Sequence, residues 1–198
     1  MSMDFYIYLK EDKLFSPKDF ENFCHSLDLL VSMSPDFDLR KSCDYVPLVF
    51  TTEVFSPKGT AEKYATGFEF FSSEYEYSPQ QGNTDTAKRT GGFLRKLFFK
   101  KENHQAPKQP PTESLFEKAI KDSRWMVVLS CHSGNSFEPL MAYLLGAYLV
   151  ESFGGIFDDP QSGQFYDNSR GLKSEIAIIL EDITKLAASG ELQYELPL

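Results

Sequence analysis

Histidine and cysteine are rare in this chain, and their rarity narrows the chemistry it can do. Three histidines (His25, His104, His132) and three cysteines (Cys24, Cys43, Cys131) are spread over 198 residues. They form no cluster with metal-ligand spacing, so no metal or other cofactor is expected. An odd number of cysteines without a close pair speaks against a disulfide framework and for reduced thiols. Residues 1–10 carry Asp4 and lack a basic segment ahead of an apolar run, so no secretory leader is expected. The longest apolar stretch, 139–150, is shorter than the ~20 residues that a membrane-spanning helix requires. Together these absences predict a soluble protein of the cytoplasm.

Complete catalytic signatures are missing too. Cys131-His132-Ser133 invites a nucleophile reading, but a thiolate needs a base within hydrogen-bond reach. Neighbours on an extended chain point to opposite faces, so His132 is badly placed to activate Cys131. Ser133-Gly134-Asn135-Ser136 stands before an apolar run, yet it has neither the second glycine nor the Lys-Ser/Thr pair of a phosphate loop. It reads as a helix cap. Asp158-Asp159-Pro160-Gln161-Ser162-Gly163 starts like a calcium loop and fails at Pro160 and again at Ser169, where an acid is needed. A turn of Asp, Pro and Gly explains the same residues. No catalytic residue is therefore named. A hydrolase built on Cys131 or on carboxylates around Asp158 stays open as an alternative.

What the chain does have is aromatic mass: 18 Phe and 10 Tyr. Aromatics bury large areas, and any left outside make ready contact residues. With 41% hydrophobic and 25% charged residues the composition is that of a globular protein rather than a disordered one. One domain over 1–198 is expected.

Patterning supplies the elements. Residues 4–9 (DFYIYL) read as a strand. Ser16 and Pro17 start a helix whose apolar positions Phe20, Phe23, Cys24, Leu27 and Leu30 keep helical spacing up to Ser34-Pro35-Asp36. Strand-like runs follow at 45–52 and 66–71, the first demoted to an edge or a late start by Pro47. Residues 125–131 (WMVVLSC) are apolar nearly throughout and read as a central strand. A helix over 137–152, capped by Ser136, is apolar almost all round and should be the buried spine; Gly154-Gly155 ends it. Ile156-Phe157 and Gln164-Phe165-Tyr166 flank a turn, and an amphipathic helix spans about 172–188, with Asp167, Asn168 and Ser169 as possible caps. This mixed order predicts an α+β layer sandwich: a mostly antiparallel mixed sheet with helices packed mainly on one face.

Charge is unevenly laid out. Residues 86–111 hold seven Lys/Arg against one Glu, a net +6. The remainder holds 13 basic and 28 acidic residues, a net −15, within a whole-chain charge of −9. The stretch 79–111 reads as a basic insert, expected to be a mobile loop from its Gln, Asn, Pro and Gly flanks. Within it Phe93, Phe98 and their apolar neighbours alternate with Arg95, Lys96 and Lys100. Either these residues form an amphipathic contact for an anionic membrane or a partner groove, or they pack back on the acidic body. The acidic body would repel phosphates, so nucleic acid is not an expected partner. The same acidity would steer a basic protein partner. The candidate contact patch is Glu69, Glu74 and Glu76 with Tyr75 and Tyr77 interleaved; an ordinary solvated strand face is the competing reading.

Three stretches carry a resemblance: the opening Asp4-Phe5-Tyr6-Ile7-Tyr8-Leu9, the run Gly67-Phe68-Glu69-Phe70-Phe71, and Ser136-Phe137 through Gly154-Gly155-Ile156-Phe157-Asp158-Asp159-Pro160-Gln161-Ser162-Gly163. Together they resemble a group of small uncharacterised bacterial cytoplasmic proteins, some of which look like immunity proteins of polymorphic-toxin or secretion-system loci. The resemblance covers about half of the chain in patches, and the basic insert departs from the shorter forms of the group. It implies a bacterial origin and a toxin-neutralising role, with a cognate toxin domain as partner, and it transfers no site residue. An adaptor docking through the insert remains the alternative.

Overall fold

The computed structural model describes residues 2–11, 15–52, 61–77, 115–132 and 135–193. Strand β1 (Ser2–Leu9) leads to helix α1 (Pro17–His25), then β2 (Leu30–Met33), β3 (Cys43–Thr52) and β4 (Glu62–Glu74). After a short helix α2 (Leu115–Ile120) come β5 (Trp125–His132), α3 (Glu138–Phe153), β6 (Gly155–Asp159), β7 (Gln164–Tyr166) and α4 (Ser169–Ser189). The seven strands make one sheet in the order β2-β3-β4-β5-β1-β6-β7. Every neighbouring pair is antiparallel. The fold is α+β, and the nearly continuous apolar run of β5 lies at the centre of the sheet.

Strand alternation sorts the side chains onto two faces. On the inner face Phe5, Ile7 and Leu9 of β1, Phe68 and Phe70 of β4, and Val127, Leu129 and Cys131 of β5 are all buried. Helix α3 lies across them with Leu140, Leu144, Leu145 and Leu149 fully enclosed. It is buried on nearly all sides because α1 and α4 pack against its far side. Each such leucine contributes about 1.5–3 kcal/mol of burial. Gly146 lets α3 come close to the sheet: a Cβ there would stand 2.2 Å from the Phe157 ring. Past Phe153 the chain reverses through Gly154 (φ 66°) and Gly155 (φ 139°), the second pressed against the Tyr8 carbonyl. Only glycine adopts these angles without strain.

Local signals hold at several ends. Ser16 caps α1, its Oγ accepting from the Asp19 amide at 3.2 Å, and Asn168 caps α4 by accepting from Gly171. Three expectations need correction. Helix α1 stops at His25 rather than near Ser34, because Asp28 takes a left-handed conformation (φ 59°) and releases 30–33 into strand β2. Pro47 does not put β3 at the edge. It stands one residue beyond the β2 register, which begins at Leu48, so the strand is an edge only locally there. Ser136 does not cap α3: Asn135 Oδ1 accepts from the Phe137 amide at 2.9 Å, while Ser136 pairs with Gln193 near the end of the described chain.

The outer face is treated differently. Helix α2 covers part of it, with Phe116, Ala119 and Ile120 over Tyr6, Tyr8, Met126 and Ile156. Tyr8 meets Tyr75 and Phe116 edge-on, at 5.0 and 5.9 Å between ring centroids. Beyond α2, among the described residues, Phe71, Tyr45 and Leu30 on this face are exposed by 46%, 46% and 53%.

Candidate functional site

The open part of the outer face is organised by register. Glu69 of β4 lies opposite Ser130 of β5, which lies opposite Asp4 of β1. The Ser130 hydroxyl donates to the Asp4 carboxylate. Next to this row, His132 Nε2 stands 3.7 Å from Glu69 Oε1. One step along the strands, Phe71 lies opposite Val128, and the Tyr45 ring lies over Gly67, where a Cβ would be 2.6 Å from Tyr45 Cζ. The result is a row along β4 in which Glu69 stands between the Tyr45 ring over Gly67 and the exposed Phe71. A planar aromatic group on a sheet is a contact surface with little conformational entropy to lose, and neighbouring carboxylates select a cationic counterpart.

A second feature lies at the ends of β4 and β5. Glu74 pairs in register with Trp125, and the chain continues beside β5 through a bond from the Tyr75 amide to the Arg124 carbonyl at 2.8 Å. Glu74, Tyr75, Glu76, Arg124 and Trp125 line an open groove of about 520 Å³. The Trp125 indole N–H donates to Ser72 Oγ at 2.6 Å, and Ser72 is itself tied to Ser42 through its amide and carbonyl. That chain of bonds fixes the indole and satisfies its one polar atom.

The five patch residues chosen from the sequence therefore fall in two places. Glu69 belongs to the open outer face, whereas Glu74 and Glu76 line the groove at the strand ends. Tyr75 lines that groove and also packs under α2 with Tyr77, so neither tyrosine stands free between the carboxylates. Burial, and then the proximity of Tyr77, raise the Tyr75 hydroxyl above its ordinary pKa. Glu74 stands five positions beyond Glu69, about 17 Å of strand. Sequence reasoning missed Phe71, Tyr45, His132 and Arg124 as surface residues, and the half-buried Trp125 as part of the groove. Alternation from Phe70 would have turned Phe71 outward, but nothing local joins Trp125 to Glu74 across fifty positions. The basic insert expected at 79–111, with Phe93, Arg95, Lys96, Phe98 and Lys100, lies outside the described residues.

The residues considered for catalysis have structural surroundings. Cys131 is fully buried on the inner face, and burial, then Glu138 and Asp4, push its thiol upward, away from thiolate formation. His132 points to the other side, toward Glu69. Asp159 is buried; its carboxylate accepts from the Tyr143 hydroxyl at 2.7 Å and from the Gln161 and Ser162 amides at 2.9 and 3.3 Å. It holds the β6–β7 turn together. Among the described residues no three His, Cys, Asp or Glu side chains are grouped to hold a metal ion, and no helix is long and apolar enough to cross a membrane. No protein-family model, curated protein or solved structure matches this chain.

Proposed function

We propose that this chain is a non-catalytic binding protein of the immunity type, which neutralises a basic protein toxin in the cytoplasm by masking it with an acidic surface. The observation that carries this reading is the open outer face. Exposed Phe71 and Tyr45 flank Glu69 on β4, with Asp4 two strands away in the row of Glu69, on a rigid seven-stranded sheet. A rigid sheet loses little entropy on binding. The strong acidity of the chain outside 86–111 (13 basic against 28 acidic residues) would speed encounter with a cationic domain and turn away nucleic acid.

Co-expression with any cationic toxin domain that a neighbouring gene encodes tests the reading. Growth should be restored by the wild type and lost with Phe71→Glu combined with Glu69→Lys, while the variant remains folded by circular dichroism. Growth arrest in the presence of wild-type protein at full expression would refute it.

A further inference from the structure

Resting on that reading of a basic partner, we propose that the groove at the ends of β4 and β5 is a receptor for one lysine or arginine side chain of the partner. Three observations meet there. The groove, about 520 Å³ and open to solvent, has room for a long side chain entering from outside. Among the described residues that line it, the carboxylates of Glu74 and Glu76, both exposed, stand against the guanidinium of Arg124, two negative charges to one positive. Trp125 offers the third element. Its N–H is engaged by Ser72 and part of its ring packs against the inner core, so what it presents to the groove is the remaining ring surface. An indole face beside carboxylates is the chemistry that recognises a cation, through the ring quadrupole and charge-assisted hydrogen bonds together.

The arrangement also explains why the indole is fixed. The bond from Trp125 to Ser72, and from Ser72 to Ser42, locks the ring before any partner arrives. Preorganisation of that kind lowers the cost of binding. Arg124 on the same groove would repel a second cation and so limit the site to one basic side chain.

Trp125 is the only tryptophan in the chain, so selective tryptophan emission reports on this groove alone. The test is a fluorescence titration of the full chain with hexa-arginine, hexa-lysine and hexa-glutamate peptides at constant ionic strength. It compares wild type, Glu74→Gln/Glu76→Gln, and Glu181→Gln/Asp182→Asn on α4, which removes the same charge elsewhere. The basic peptides should change Trp125 emission saturably, the groove variant should bind them about ten-fold more weakly, and the α4 variant should follow the wild type. Equal weakening in both variants, no change in emission, or the same change with hexa-glutamate would overturn the proposal. These outcomes are separate from the protection assay. A groove that fails while growth is still restored leaves the partner reading standing. A groove that behaves as described in a protein that protects against nothing leaves only the cation site.

Discussion

Phe70 and Phe71 are neighbours on β4, yet one is fully buried and the other 46% exposed. That contrast runs through the whole sheet. The inner face is closed by three helices and packed with aliphatic and aromatic side chains. The outer face has the six-residue α2 over one part and exposed aromatics beside carboxylates over another. The same strands thus make a packed face and a partly exposed face, and alternation is the only device needed to keep them apart.

The largest test of this division is a pair of truncations. Phe70→Ala should cost about 3–5 kcal/mol in denaturant unfolding, and Phe71→Ala no more than about 0.5 kcal/mol. Similar losses would mean that the outer face is closed after all. Next in size is Gly146→Ala, where the new methyl would meet the Phe157 ring. Overpacking there should lower stability by about 1–3 kcal/mol and shift the melting temperature accordingly.

Two tyrosines sharpen the comparison further. Tyr143→Phe removes a buried hydroxyl that donates to Asp159; with two amides still on that carboxylate, the loss should be about 1 kcal/mol. Tyr75→Phe, on the outer side, should be nearly neutral in the same unfolding experiment. The smallest effect concerns Glu151 at the end of α3. Its hydrogen bonds from Lys173, then Ser169, hold its carboxyl below the usual glutamate range. A depressed folded pKa stabilises above the unfolded value of about 4.3, and the gain disappears as pH falls through the lower folded value. Lys173→Met should therefore be slightly less stable than wild type at neutral pH and equal to it in strong acid, as read from paired unfolding curves.

Much of the inner face was legible in the sequence, because it depends on local patterns: the apolar run of β5, the all-round apolar α3, the cap at Ser16 and the glycines at 154 and 155. Where the pattern misled, the cause is physical. Leu27 and Leu30 keep helical spacing after α1, and the break between them is a left-handed Asp28 that neither glycine nor proline announces. Helix α2 is too short to display a period. The groupings on the outer face and at the strand ends were harder to read for another reason. Glu69 and Asp4 share a row only through β5, and Trp125 reaches Glu74 only through long-range register. Acidic residues were visible one by one; which of them share a surface depends on pairings that no local stretch encodes.

The most direct measurement is the affinity of the purified chain for a cationic protein domain of the kind proposed above, by calorimetry, with charge removed from different places. Phe71→Ala and Glu69→Gln should each weaken binding by about ten-fold or more, whereas Glu181→Gln/Asp182→Asn on α4 should leave it within about two-fold. If the α4 variant loses as much affinity as the outer-face variants, binding follows overall charge and the open sheet face is not the contact surface.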